Sequence, residues 1–198
     1  CLRRAEAEDG RLEEAPPDRF CILAFGKLGG EELNYSSDID LLGLFDDSKL
    51  ADPATAAQAY SKRLERVRAM LSDHTTEGYA YRVDFRLRPH GRSGALVSSL
   101  SRARDYYEQQ AAAWELQATI KLRPVAGHRA TGEALLACLR PLLAAEWPPE
   151  ELAAAIEHLR SASRRQQAGR ATAGHDVKAG LRGSRDVEFL VQWLQLVH

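Results

Sequence analysis

Asp38 and Asp40 stand two residues apart in Ser36-Ser37-Asp38-Ile39-Asp40, at the head of an apolar run. In an extended chain, residues two apart face the same side, so both carboxylates point together while Ile39 and Leu41 point away. Their Cα atoms are then roughly 6.5 Å apart, at about 3.3 Å per residue. Carboxylates converging from that spacing can share a hard cation such as Mg²⁺, which takes oxygen ligands and completes its shell with substrate phosphates. A third carboxylate recurs downstream. Tyr81, Val83, Phe85 and Leu87 form an apolar face, and Arg82, Asp84, Arg86 and Arg88 form the opposite, polar one. Alternation this regular predicts a half-buried strand. If the two strands are neighbours, Asp38, Asp40 and Asp84 gather on one surface with arginines beside them. Carboxylates for metal and guanidiniums for phosphate are the parts of phosphoryl or nucleotidyl transfer.

Each feature also has an ordinary use. An Asp-x-Asp at a strand start commonly caps a turn, and an alternating Arg/Asp face is commonly just solvated. Their combination points to chemistry, and so does the glycine pair Gly29-Gly30 upstream. That pair follows a predicted strand and precedes a predicted helix. There it would bring the backbone close to phosphates and aim helix-terminal N–H groups at them.

The elements that must position these groups follow from periodicity and breakers. Residues 1–14 are charged and helix-prone, and Ala15-Pro16-Pro17-Asp18 is a break. Phe20–Phe25 is a short continuous apolar run and reads as a buried strand. Ile39–Phe45 is a second strand, ended by Asp46-Asp47-Ser48. Pro53 opens a helix through about Asp73, with Ala56, Tyr60, Leu64, Val67 and Leu71 in helical spacing. Tyr79–Arg88 is the third strand, and Ala95–Leu100 reads as a short one. Ser101–Leu122, capped by Ser101, Thr131–Ala145, Pro149–Gln167 and Ser184–His198 read as helices. The fold class is therefore α+β. Residues 1–18 form a helical remnant, 19–125 a mixed α/β core and 126–198 a helical region, with the boundary near Pro124–Gly127.

Bulk properties narrow the function. There are 27 Lys and Arg against 28 Asp and Glu, for a net charge of −1, without the basic excess of a general nucleic-acid binder. At 44% hydrophobic the 198 residues carry enough apolar surface for a sizeable core. Cys1, Cys21 and Cys138 are odd in number and widely spaced, which predicts reduced thiols in a cytoplasmic protein and no disulfide framework or zinc site. No run of about 18 apolar residues predicts a membrane span. The first residues carry charges of both signs with no apolar segment behind them, unlike a signal peptide. The chain starts without Met and stops within an apolar helical pattern, as a piece of a longer protein would. His74, His90, His128, His158, His175 and His198 share no ligand spacing, and Trp114 and Trp193 fall on apolar helical faces suited to packing.

The stretch Gly26–Leu41 (GKLGGEELNYSSDIDL) resembles the signature of the glutamine synthetase adenylyltransferase/adenylyl-removing enzymes. Val83-Asp84-Phe85-Arg86-Leu87-Arg88-Pro89 is similar to their second motif. Asp105–Gln110 with Trp114-Glu115 and Ile120–Arg123 is similar to a third, and Lys178 with Arg185–Phe189 to a fourth. The matches run in family order over most of residues 20–192. The resemblance implies a DNA-polymerase-β-like nucleotidyltransferase core. It implies Asp38 and Asp40 as the metal pair, Asp84 as the third carboxylate, and Gly29, Gly30 and Ser37 at the nucleotide phosphates. Two Mg²⁺ ions would then sit about 3.5–4 Å apart, as in two-metal sites generally. Arg86, Arg88 or Lys121 would hold phosphate, with bidentate geometry favouring the arginines.

The implied chemistry is attachment of AMP from ATP to a tyrosine of glutamine synthetase, or its phosphorolytic removal as ADP. A nitrogen-signalling regulatory protein is a further implied partner. Asn34–Asp38, Asp105–Gln110 and Val191-Gln192 resemble the N-terminal, adenylyl-removing half more closely. Gly180–Ser184 departs from the family's glycine- and proline-rich turn, which leaves Lys178, Arg185 and Glu188 without assigned roles. Two alternatives stay open: a non-catalytic nucleotide-sensing module, and the same chemistry on a different acceptor.

Overall fold

A computed structural model describes residues 1–9, 15–35 and 37–148, and beyond them only Glu150, Glu151, Ala154, Glu157, Ser161 and Val191. The element order is α1 (Leu2–Asp9), β1 (Phe20–Ala24), α2 (Gly26–Gly29), β2 (Ile39–Phe45), α3 (Pro53–Ser72), β3 (Val83–Asp84), β4 (Val97–Ser99), α4 (Leu100–Gln109), α5 (Ala113–Ala118), β5 (Arg123–Gly127) and α6 (Arg129–Leu143). The class is α+β with a mixed sheet, as the sequence indicates.

The sheet runs β3-β2-β1-β5. β1 is antiparallel to both β2 and β5. β2 is long enough for two partners on one edge. β3 pairs in parallel with its start and β4 with its end. Every residue of β1 is buried, which explains its unbroken apolar run: both faces are covered. On one face Phe20, Ile22, Ile39, Leu41 and Phe45 pack with α1 and α3 in a single core. Tyr60 of α3 stacks on Phe20 at 5.0 Å and tilts on Phe45 at 5.1 Å, and its hydroxyl donates to Pro16 O at 2.8 Å. On the other face α6 approaches so closely that a Cβ at Gly132 would lie 2.9 Å from Cys21 Sγ.

Local chemistry sets the helix ends. Asp52 caps α3, its Oδ1 accepting from Ala54 N (3.0 Å) and Thr55 N (3.2 Å), with Pro53 in the first turn. α4 is capped by Ser99, which accepts from Arg102 N at 3.3 Å. Ser101, the expected cap, instead donates its hydroxyl and backbone N–H to Asp47.

Several expectations need correction. The glycine pair closes a helix, α2, and does not open one; Gly30 is its C-cap. The long third strand shrinks to Val83–Asp84, because Arg86 bends back onto Asp84 and β4 takes the remaining edge of β2. The helix read over Ser101–Leu122 is two helices, broken at Gln110–Ala112. The boundary placed near Pro124–Gly127 falls inside β5, paired to β1 from Cys21 to Ala24. Pro124 is tolerated there because β5 is the last strand in the sheet order. The helices expected over Pro149–Gln167 and Ser184–His198, with Lys178, Arg185 and Glu188, lie outside the described residues apart from the isolated positions above.

The chain divides into two compact units, Cys1–Ala111 with Lys121–Arg140, and Ala112–Ile120 with Pro141–His198. The first holds the sheet and all site residues below. In the second, Glu115 accepts from Ala112 N at 3.0 Å in the first turn of α5, and Trp147 Nε1 donates to Leu142 O at 3.2 Å. Cys1, Cys21 and Cys138 are all free thiols, as expected. Among the described residues no helix is long and apolar enough to cross a membrane.

Candidate active site at the head of the second strand

The register of the parallel pair decides whether the three carboxylates meet. Ile39 stands opposite Val83, and Asp40 opposite Asp84. Paired residues in neighbouring strands point to the same face, with backbones about 4.8 Å apart. Asp38, two residues before Asp40, shares that face by alternation. Asp38 is exposed, and Asp40 and Asp84 are half-buried. The end of β1 meets the same spot. Phe25 N donates to Asp40 O at 2.9 Å, and a Cβ on Gly26 would come within 3.9 Å of Asp40 Oδ2. Gly26 adopts φ +53°, a left-handed turn that glycine makes without strain.

Guanidiniums surround the carboxylates. Arg82 Nε donates to Asp38 Oδ1. Arg86 holds both oxygens of Asp84, with its Nε 2.6 Å from Oδ2 and its backbone N–H 2.8 Å from Oδ1. Burial alone would raise the Asp84 pKa. The side-chain and backbone hydrogen bonds from Arg86, with the charges of Arg86 and Arg92, outweigh it and hold the carboxyl below its ordinary value. Arg86 is pushed up in return, first by its bond to Asp84 and then by the charges of Asp84, Asp40 and Asp38. All three carboxylates therefore act on one guanidinium.

A second group of cations comes from the start of β5. Lys121 Nζ lies 2.6 Å from Glu32 Oε2. Arg123 donates to Gly29 O (2.8 Å) and Leu28 O (2.9 Å), the carbonyls that end α2. The two glycines behave differently. A Cβ at Gly29 would sit 2.0 Å from Lys121 O and 2.5 Å from Ala24 O, so its missing side chain is what lets three backbones pack. At Gly30 the nearest atom is the flexible Lys121 Cδ, at 2.9 Å. Ser37 is buried and its N–H donates to Asn34 O at 3.2 Å.

Arg88 is not brought to the carboxylates. Its guanidinium donates to the carbonyls of Phe85 (2.9 Å), Arg92 (3.2 Å) and Gly94 (3.1 Å), tying the loop after β3. Glu32, Arg82, Arg92 and Arg123 were not singled out as site residues by sequence. Arg82 carried a signal, sharing the polar face of Asp84. Glu32 and Arg123 fall inside the motifs Gly26–Leu41 and Ile120–Arg123, but their partners, 89 and 94 residues away, could not be read from them.

The donor set suits a hard divalent cation: three carboxylates on one face and no soft ligand. As placed, Asp38 and Asp84 give their oxygens to arginines. Among the described residues no three His, Cys, Asp or Glu side chains are grouped closely enough to enclose a metal. The chemistry fits the ion; the side-chain spacing does so only once the arginines yield.

The profile of the glutamate-ammonia ligase adenylyltransferase family matches residues 1–138. The chain belongs to this family. Relatives named bifunctional glutamine synthetase adenylyltransferase/adenylyl-removing enzyme align along nearly its whole length. The protein of Xanthobacter autotrophicus is 42% identical over 204 aligned positions, covering 96% of this chain and 20% of the relative. That of Brucella suis is 40% identical over 195, covering 93% and 20%. That of Thioalkalivibrio sulfidiphilus is 38% identical over 198, covering 98% and 20%. The chain thus spans about a fifth of the length of these curated relatives.

Proposed function

We propose that the chain carries a metal-dependent nucleotidyltransferase site of the DNA-polymerase-β type, acting on AMP linked to a tyrosine of glutamine synthetase. The reading rests on one observation, the in-register pairing of Asp40 with Asp84, beside which the charge of Asp38 also reaches Arg86. The relatives' name supports the acceptor. The N-terminal-type motifs around Asn34–Asp38 and Asp105–Gln110 support the removing direction.

In removal, an oxygen of inorganic phosphate bonds to the α-phosphorus of the tyrosyl-AMP. The bond from that phosphorus to the tyrosine oxygen breaks, and the phenolate leaves and takes a proton from water. The products are ADP and unmodified tyrosine. In attachment, the tyrosine oxygen bonds to the α-phosphorus of ATP and pyrophosphate leaves. Asp38, Asp40 and Asp84 would hold magnesium, whose bound charge offsets that of the phosphoryl oxygens. Arg86 and Arg92, beside Asp84, are placed to take phosphate oxygens, and Lys121 to exchange Glu32 for one. Asp84 is the nearest base when the nucleophile has a proton to lose. Three free thiols fit a reducing, cytoplasmic setting.

The deciding experiment gives the chain AMP-modified glutamine synthetase, phosphate and magnesium. ADP release establishes removal. ATP-dependent labelling of the unmodified enzyme with no ADP release reverses the direction. A second reading, a nucleotide-sensing module without turnover, is favoured by the closure of Asp38 and Asp84 by arginines. Magnesium-dependent nucleotide binding with neither reaction would select it.

A further inference from the structure

The loop from β3 to β4 winds around one side chain. Arg88 is half-buried and points its guanidinium at three backbone carbonyls. Nη1 donates to Phe85 O at 2.9 Å and Nη2 to Arg92 O at 3.2 Å. Nε and Nη2 both donate to Gly94 O, at 3.2 and 3.1 Å. The backbone turns sharply to bring these carbonyls inward. His90 and Gly91 are consecutive left-handed residues, at φ 60° and 55°. That conformation is uncommon for a residue other than glycine and persists where the surroundings fix it.

Further contacts close the loop on itself. A Cβ at Gly94 would sit 2.1 Å from Pro89 O, so the returning limb packs directly on the outgoing one. Gly91 N donates to Arg88 O at 2.8 Å, and Ser93 Oγ donates to His90 O at 2.8 Å. The His90 ring meets the buried Tyr106 ring edge-on at 4.5 Å. The result is a loop that leaves from Asp84 and carries Arg92 back within electrostatic reach of the same carboxylate. Arg92 is itself exposed, so its reach is set by where its backbone is held. The bond from Arg88 Nη2 to Arg92 O holds it.

We infer that Arg88 is a positioning residue for the phosphate subsite: it takes no phosphate itself and acts by fixing the loop that presents Arg92 beside the carboxylates. The inference rests on the proposed function, which gives Arg92 a phosphate oxygen. The rival is direct contact between Arg88 and phosphate. It is disfavoured because four of the five guanidinium N–H groups already serve carbonyls of the loop. Arginine is needed for this task because its rigid fork spans several acceptors at once. A lysine would keep the charge, as a point at the end of a flexible stem, and lose the fork. The two roles therefore part on replacement by lysine. A phosphate ligand keeps some of its attraction, and a tie across three carbonyls does not.

The test is a double-mutant cycle on the full chain, with affinity for ADP and magnesium read by calorimetry. The variants are Arg92→Ala, Arg88→Ala, Arg88→Lys and Arg88→Ala/Arg92→Ala. Arg92→Ala is expected to lose about tenfold, the scale of one hydrogen bond to a charged group. Arg88→Ala and Arg88→Lys should lose about as much, and the double variant no more than either single one, because Arg88 acts through Arg92. Circular dichroism on the same samples identifies the folded variants. If Arg88→Ala does not fold, Arg88→Lys, which keeps the packing of the stem, takes its place in the cycle. Additive losses, or full affinity in Arg88→Lys beside a loss in Arg88→Ala, overturn the inference in favour of direct phosphate contact. Full affinity in a folded Arg88→Ala makes the residue a stabiliser only, and full affinity in Arg92→Ala removes the residue it acts through; both overturn it. A parent chain that binds no ADP removes the proposed function and this inference with it, a result distinct from the others.

Discussion

Arg86 closes both carboxylate oxygens of Asp84, one through its guanidinium at 2.6 Å and the other through its own backbone N–H at 2.8 Å. A carboxyl with a folded-state pKa below its unfolded value stabilises the fold above the ordinary carboxylate range near 3.9, and that contribution is lost as pH falls through the lower, folded value. Arg86→Ala should raise the Asp84 pKa and cost about 1 kcal/mol or less at pH 7, since the guanidinium is nearly half exposed. The difference should vanish in acid. Urea unfolding at pH 7 and pH 2.5, with carboxyl NMR titration of Asp84, checks both signs.

Asp38→Asn, Asp40→Asn and Asp84→Asn should each reduce turnover by at least about a hundredfold, the scale for removing one electrostatic stabiliser, with the far-ultraviolet dichroism unchanged. Initial rates of ADP release, with circular dichroism on the same samples, decide it. Near-normal rates in any folded variant remove that residue from the site.

The neighbouring glycines should respond unequally. Gly29→Ala drives a Cβ to 2.0 Å from a backbone carbonyl that cannot step aside, so a loss of about 3 kcal/mol is expected. Gly30→Ala meets the middle of a lysine side chain at 2.9 Å, which can rotate, so a loss under about 1 kcal/mol is expected. Thermal or urea midpoints of the two variants compare them directly.

Glu32 occupies the ammonium of Lys121 in a pair that is a quarter exposed on the lysine side and half exposed on the glutamate side. Glu32→Gln should free Lys121 and tighten ADP binding by up to about fivefold, the limit for a partly exposed pair. Calorimetric titration at low and high salt reads it, with the gain fading at high salt. Weaker binding in the variant would show that Glu32 orders the loop and does not compete with phosphate.

Cys21 lies fully inside the sheet, and burial pushes its thiol up to about 12. Cys1 is exposed. At pH 8 iodoacetamide should label Cys1 and leave Cys21 untouched until denaturant is added, since thiolate is the reacting form. Mass spectrometry of the digested protein locates the label.

The legible parts of the fold were those specified locally. Ile39–Phe45 was read with its true limits because the apolar run Leu41–Phe45 is bounded by Asp38-Ile39-Asp40 on one side and Asp46-Asp47 on the other. α3 was read from Pro53 onward because the first-turn proline and the apolar spacing agree. Alternation placed Asp84 and Arg86 on one side, but it says nothing about which strand supplies hydrogen bonds. With only Ile39 and Asp40 available as partners, the strand read over Tyr79–Arg88 kept two residues. β5 was missed because Arg123-Pro124-Val125-Ala126-Gly127 contains two strand breakers, and only its pairing with the buried β1 makes it a strand. The three carboxylates were legible as residues. The pairing of Arg82 with Asp38 across 44 residues and of Glu32 with Lys121 across 89 left no local trace, whereas Arg86 beside Asp84 was legible as a neighbour on the polar face.

Lys121 and Arg123 complete the edge where β1 ends, although almost a hundred residues separate them from Gly29. During synthesis the ribosome must therefore release the chain past Gly127 before that edge can be sealed. Until then the last carbonyls of α2 face water and Ala24 has no partner on its β5 side. A late, distant closure of this kind carries a loop-entropy penalty that slows folding. That edge is accordingly among the last parts of the first unit to become rigid, and in a nascent chain it stays open until its scaffold is finished.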